Sequence, residues 1–338
     1  SLALTRRPDE VNIYILDFGG QASLKALEPL PHVGAVVTRS ETERVERLVR
    51  HIQGEIARRD KLFRKERLDS WSDYNARVPA ANRLPAIYLI IDGFGEFKRT
   101  FPAELVKETA ALVSGGATAG LFMVVSTNLQ GDVPNDLFAN INLRLTFHQA
   151  DQTEYFRIVG RPSDAKIQEE TGRAPPPGRG LLRGTPPLEF QAALPTSGAS
   201  DEDQARELAE LAEDMRRAWR GALPTPIRSL PLLLMLPEQR PAKPYAPEPS
   251  VASVSTVLGQ DYESLSAIGL SLDDDGPTFL AAAVSAQSGK TTLLQTWVLG
   301  LAERHWPNEV QFVFIDYHAR SMSAFRRIPH RLEYLSSL

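Results

Sequence analysis

The sequence predicts an α/β fold of mainly parallel sheets flanked by helices, present as two incomplete tandem copies. Three observations predict it. Continuously apolar strand-like runs alternate with amphipathic helical stretches, the pattern of a parallel sheet covered on both faces. Residues 2–32 (LALTRRPDEVNIYILDFGGQASLKALEPLPH) recur as residues 301–330 (LAERHWPNEVQFVFIDYHARSMSAFRRIPH), with Leu2/Leu301, Ala3/Ala302, Pro8/Pro307, Glu10/Glu309, Val11/Val310, Asp17/Asp316, Pro31/Pro329 and His32/His330 coinciding across one gap. The later copy is preceded by SAQSGKTT, a glycine-lysine loop, whereas the same loop for the first copy would fall before residue 1. The chain is therefore expected to begin partway through one domain and to stop partway through another.

Along the chain, residues 11–16 and 33–38 read as strands, the first apolar throughout. From Glu41 the positions Val45, Leu48, Val49, Ile52 and Ile56 recur at helical spacing toward Phe63. Residues 86–91 form another apolar strand, ending in Asp92. A helix after Pro102 is expected to stop at Gly115-Gly116. Residues 121–126, 143–147 and 188–194 are further strands, and the helix at 201–220 places acidic residues before basic ones, as the helix dipole favours. A proline-rich linker or strap is expected at 223–250, between a domain at 1–222 and a domain start at 251–338. There, an apolar strand at 277–284 leads into the glycine-lysine loop.

Composition narrows the function. A chain of 338 residues is long enough for about two domains. Its 42% apolar and 24% charged residues exclude a disordered or fibrous chain. A net charge of −4 gives no general attraction to nucleic-acid backbones. With no cysteine, disulfides, thiolate metal sites and a cysteine nucleophile are excluded. No apolar run approaches the ~20 residues of a membrane span, so a soluble segment is expected.

The loop Ser285, Ala286, Gln287, Ser288, Gly289, Lys290, Thr291, Thr292 has the residues of a P-loop, in which N–H groups at a helix start cradle phosphate oxygens. Lys290 would contact the β- and γ-phosphates of ATP, and Thr291 would ligate Mg²⁺. Val284 stands where glycine is usual, and a β-branched residue resists positive φ, so a reshaped or weakly binding loop is expected. IYLIID at 87–92 has the form of a Walker B strand, with Asp92 on Mg²⁺ through water; the competing reading is a strand-capping aspartate. Gly93 follows where active enzymes place a glutamate, and Glu96 comes too late, so little or no hydrolysis is expected at this degenerate site. Asn128, in Ser126-Thr127-Asn128, is a candidate γ-phosphate sensor or a plain loop residue. Arg39, Arg44 and Arg144 are candidates to reach a neighbouring subunit's nucleotide in trans, against a solvated or structural role. The basic run at 58–67 is broken by acidic residues and reads as a solvated helix face with i,i+4 pairs.

These pieces in this order, with VNIYILDFGG, IYLIIDGFGEF, VVSTNLQGDVPNDLFANINLRLTFHQAD and PPPGRGLL, resemble the FtsK/SpoIIIE family of P-loop ATPases, and in particular the EccC/EssC ATPases of type VII secretion. The resemblance implies RecA-like domains: most of a second ATPase domain lacking its P-loop unit, then the start of a third. It also implies a hexameric motor partnered by the other ATPase domains of one long protein, at the cytoplasmic face of the membrane through an anchor that precedes this region. Small helical-hairpin substrates of the WXG type would be its cargo. A DNA translocase of the FtsK type and a catalytically dead scaffold are the rival readings.

Overall fold

The fold is that of a computed structural model, which describes residues 2–20, 23–149, 151–160, 176–198, 200–235, 255–262, 265–272, 275–285, 287–317 and 321–336. The chain divides into two compact units, Ser1–Arg228 and Ser229–Leu338.

In the first unit, β1 (Val11–Asp17), β2 (Val33–Thr38), β3 (Ala86–Asp92) and β4 (Leu121–Val125) form a parallel sheet in the order β2-β1-β3-β4. Successive side chains of a strand leave on opposite faces, and β1 is apolar on both. Tyr14 and Leu16 pack with Ala35, Val37, Leu89 and Ile91 under α2 (Thr42–Glu66) and α5 (Ala103–Ala119), which contribute Val45, Leu48, Ile52, Val106 and Leu112. Ile13 and Ile15 pack with Val33 and Val36 on the other face, against Ala212 of α8 (Asp201–Ala218). Burying an aliphatic side chain stabilises by roughly 1.5–3 kcal/mol, so this two-sided burial holds a register in which Asp17 stands beside Asp92.

Several expectations are corrected. The helix after Pro102 does not stop at Gly115-Gly116: α5 runs through both to Ala119 and is capped by Gly120, because the burial of Leu112, Gly116 and Ala119 outweighs a glycine's weak propensity, about 1 kcal/mol. Two of the later strands leave the parallel sheet. β5 (Leu145–Phe147), β6 (Arg179–Leu182) and β7 (Leu188–Gln191) form a separate antiparallel sheet, with Leu181 packed on Tyr155 and Val159 of α7 (Gln152–Val159). Strands this short, with Leu145, Phe147 and Leu188 exposed, cannot fill a position buried on both faces.

The basic run is not simply a solvated face. Arg59 is 1% exposed; its Nε donates to Glu55 at 2.8 Å and its Nη1 to the Ala119 carbonyl at 2.8 Å, so it ties α2 to the end of α5. The proline-rich segment begins as a strap on this unit. Tyr14 Oη donates to the Thr225 carbonyl at 3.1 Å, Arg44 Nε donates to the Ile227 carbonyl at 2.9 Å, and Ile227 is buried in the core. Residues 236–254 of the linker and following domain start lie outside the described residues.

In the second unit, β8 (Ser255–Gln260) and β9 (Ala267–Ser271) form an antiparallel hairpin, and β10 (Phe312–Ile315) pairs in parallel with β11 (Arg331–Leu335). Val298 and Leu301 of α9 (Lys290–Arg304) pack on Phe312 and Phe314. The strand expected at 277–284 does not form: residues 278–283 are irregular, with Leu280 exposed. A strand needs a neighbour to satisfy its backbone, and among the described residues none pairs with this one.

The repeat extends to individual bonds. His32 Nε2 donates to the Arg6 carbonyl (2.8 Å) and His330 Nε2 to the His305 carbonyl (2.6 Å). Glu10 accepts from the Arg7 N–H (2.9 Å) and Glu309 from the Trp306 N–H (2.8 Å). Asp17 accepts from the Leu24 N–H (3.2 Å) and Asp316 from the Met322 N–H (2.9 Å). The strand pairing slips at the same place in each copy, after Ile13 and after Phe312. The short helix α1 (Leu2–Thr5) stands in sequence where the last turn of α9 does.

Arg59→Ala is expected to lower the unfolding free energy by about 3 kcal/mol, because it strips Glu55 and a helix-end carbonyl of their buried donor. Urea titration checks this, and an unchanged midpoint would contradict the buried tie.

Candidate functional site

Open parallel sheets bind ligands at the carboxyl ends of their strands. In the first unit this edge holds Asp92, at the end of β3. Its Oδ1 accepts from Ser126 Oγ at 2.5 Å, and Ser126 Oγ accepts from the Gly93 N–H at 2.8 Å. Opposite, the turn after β1 presses bare backbone against the carboxylate: a β-carbon on Gly19 would run into Asp92 Oδ2. Gly93 is itself held at φ 75°, and a β-carbon there would lie 2.9 Å from the carbonyl carbon and oxygen of Phe18. Only glycine adopts this conformation at such close quarters without strain.

Glu96, in the first turn of α4 (Phe94–Thr100), is engaged elsewhere. It accepts from Arg99 Nη2 at 2.9 Å and from Arg39 Nη1 at 3.0 Å. Arg99 first, and Arg39 after it, hold this carboxyl below the usual carboxylate range. Arg39 is exposed and paired within its own chain. The other two candidate arginines lie in structural roles. Arg44 binds the Ile227 carbonyl and pairs with Glu41, and Arg144 donates to the Ile141 carbonyl at 2.7 Å and the Phe138 carbonyl at 2.9 Å. Asn128 is exposed in the turn after β4, outside the Asp92–Ser126–Gly93 chain of bonds.

In the second unit the glycine-lysine loop turns directly into α9. Ala286 lies outside the described residues. Positive φ occurs at Gln287 (60°) and Gly289 (91°) and not at Val284. The expected strain at Val284 is therefore absent, because the left-handed turns fall three and five residues later, and its side chain is free in solvent. Gly289 caps α9 without a side-chain hydrogen bond, which leaves the first-turn N–H groups for an anion that the helix dipole also favours. Lys290 Nζ folds back across the loop and donates to Ser288 Oγ at 2.9 Å, the Ser285 carbonyl at 3.0 Å and the Ala283 carbonyl at 3.5 Å. Thr291 and Thr292 are exposed in the first helical turn. An ammonium, helix-start amides and two hydroxyls are the donor set of a polyphosphate with its cation. Among the described residues, no cluster of three or more His, Asp or Glu could cage a metal ion by itself.

The structure thus gathers Gln287–Thr292 into one loop and helix start, and Asp92 with Ser126 at a sheet edge; Lys290 and Asp92 belong to different units. Sequence reasoning missed Gly19, although a glycine pair directly after a strand ending in aspartate was its visible signal. It also missed the tie between Glu96 and Arg39, which joins residues far apart in sequence.

An aspartate-tipped parallel sheet and a lysine loop opening a helix define a P-loop nucleotide-binding protein of the ATPase class. The model of the FtsK/SpoIIIE family matches residues 1–174 and 280–337, and the chain belongs to that family. It is 30% identical to the ESX secretion system protein EccC of Thermomonospora curvata, over 100% of this chain and 24% of that protein. It is 26% identical to the ESX-1 secretion system protein EccCb1 of Mycobacterium tuberculosis, over 96% of this chain and 54% of that one. Among solved structures, ATPases 2 and 3 of Thermomonospora curvata EccC, in complex with a signal sequence peptide, match with a TM-score of 0.66 at 27% identity, over 100% of this chain and 58% of that chain. ATPases 2 and 3 of EssC from Geobacillus thermodenitrificans share the RecA-like fold, with a TM-score of 0.76 at 20% identity over 100% of this chain and 61% of theirs. The chain spans about a quarter of the EccC relative and about half of EccCb1. Among the described residues no helix is long and apolar enough to cross a membrane.

Gly93→Glu, which would supply a glutamate directly after Asp92, is expected to destabilise the chain by about 1–3 kcal/mol by forcing a β-carbon into a left-handed, crowded position. Thermal or chemical denaturation reads this, and full stability in that variant would show that the Phe18–Gly93 approach yields easily.

Proposed function

We propose that this chain is an ATP-binding segment of a multi-domain motor for protein export of the type VII kind. Residues 1–222 are most of one ATPase domain, residues 223–250 a proline-rich linker, and residues 251–338 the start of the next. The observation that carries the reading is the loop at Lys290, whose ammonium lies across the turn that opens α9 while the helix start is left without a side-chain cap. There Gln287–Thr292 would hold ATP with Mg²⁺: Lys290 would exchange its loop acceptors for β- and γ-phosphate oxygens, and the Thr291 hydroxyl would face the ion. A bound Mg²⁺ would supply neutralisation of phosphate charge.

The Asp92 edge is the degenerate site, with weak or no hydrolysis. Gly93 cannot carry a water-orienting side chain, and Glu96 is held by Arg99 and Arg39. Asp92 would contact Mg²⁺ and Asn128 would act as a γ-phosphate sensor, and Arg39 could serve a neighbouring subunit only by leaving Glu96. Similarity to secretion proteins, one of them solved with a signal sequence peptide, supports a hexameric assembly at the cytoplasmic face of the membrane, with small helical-hairpin proteins of the WXG type as cargo. The net charge of −4 weighs against DNA as the cargo.

Titration calorimetry with ATP and Mg²⁺ is expected to give saturable binding that Lys290→Ala weakens about tenfold or more, through loss of charge-assisted hydrogen bonds. Absence of binding by the unchanged chain would contradict the reading.

A further inference from the structure

Gln287 holds a left-handed φ of 60° in the middle of the lysine loop, a conformation that glycine adopts freely and that a β-carbon opposes. Its side chain is exposed, so no packing compensates for that cost. What pins the turn is Lys290. Its Nζ bridges the Ser285 carbonyl on one side of Gln287 and Ser288 Oγ on the other, at 3.0 and 2.9 Å, with the Ala283 carbonyl further back at 3.5 Å. The same ammonium is the loop's phosphate ligand under the nucleotide reading, on which this inference rests. It cannot serve both sets of acceptors fully. When Nζ turns outward to a phosphate, the clamp across Gln287 opens, while the turn must still keep its left-handed residue for the amides behind it to stay aligned with the start of α9.

From this geometry we infer that Gln287 is a positioning residue that sets the affinity of the loop for polyphosphates. Its β-carbon makes the loop depend on the Lys290 clamp, and ligand binding has to break that clamp. The conformational cost is therefore offset in the free loop and exposed in the bound one. A glycine at 287 would hold the turn without the clamp and leave Lys290 free for the ligand. The effect belongs to the backbone and not to the amide group of the glutamine, which separates two substitutions: removing the β-carbon relieves the turn, and truncating the side chain down to the β-carbon does not.

The test titrates the whole chain, Gln287→Gly, Gln287→Ala and Gln287→Gly combined with Lys290→Ala against ATP with Mg²⁺ and against inorganic pyrophosphate. Gln287→Gly is expected to tighten both ligands by roughly fivefold, Gln287→Ala to show none of that tightening, and the double variant to lose the gain. Binding by the unchanged chain with no gain in Gln287→Gly would overturn this inference alone. Equal gains from glycine and alanine would also overturn it, since they would assign the effect to side-chain bulk. If neither the unchanged chain nor Gln287→Gly bound either ligand, the nucleotide reading would fall and this inference with it.

Discussion

The candidate sites depend on strands that are buried on both faces. β1 cannot slide by one residue along β3 without exchanging Tyr14 and Leu16 for Ile13 and Ile15 between two differently shaped helix layers. That constraint fixes where each strand ends, and so it fixes the edge at which Asp17 and Asp92 stand together and Ser126 reaches the Asp92 carboxylate. The close approach of Gly19 and Gly93 follows from the same register. The chemistry at the edge is set by a few polar side chains, but their positions are set by the apolar residues beneath them.

The two copies of the repeat keep their frame and differ in what surrounds the buried aspartate. Each retains the histidine-to-carbonyl lock, the glutamate at the turn before the strand and the buried aspartate at the strand's end. In the second copy Tyr334 also donates to Asp316 at 2.6 Å, which holds that carboxyl below its ordinary range. Val36 takes the tyrosine's place in the first copy, so Asp17 has no such hydroxyl donor beside its bond from Leu24 N–H; independently, its Oδ1 has no partner among the described residues. A buried carboxylate oxygen without a donor costs stability. One unit carries the glycine-lysine loop and the other an aspartate edge closed in by glycines.

Much of the frame was legible in the sequence. The strands at 11–17, 33–38, 86–92 and 121–125 announce themselves because two-sided burial demands unbroken apolar runs, and α2 because one-sided burial demands a helical period. The glycine-lysine loop was legible because phosphate-type turns need those residues in that order. What escaped was decided by partners distant along the chain. Whether residues 145–147 and 188–191 join the parallel sheet depends on β6, which lies between them in space. Arg59 reads as one more surface charge in a charged run until the Ala119 carbonyl is found beside it. Val284 seemed the weak point of its loop because spacing alone does not tell which residues take positive φ; the backbone assigns that burden to Gln287 and Gly289.

The central claim is that the loop opening α9 is a working polyphosphate cradle within an otherwise divergent pair of ATPase cores. Hydrogen–deuterium exchange of the whole chain, with and without ATP and Mg²⁺, tests it most directly. The account predicts that amides at 287–293 slow more than those of any other segment when ligand is added. Unchanged exchange across that stretch at saturating nucleotide, or slowing confined to other parts of the chain, would contradict it.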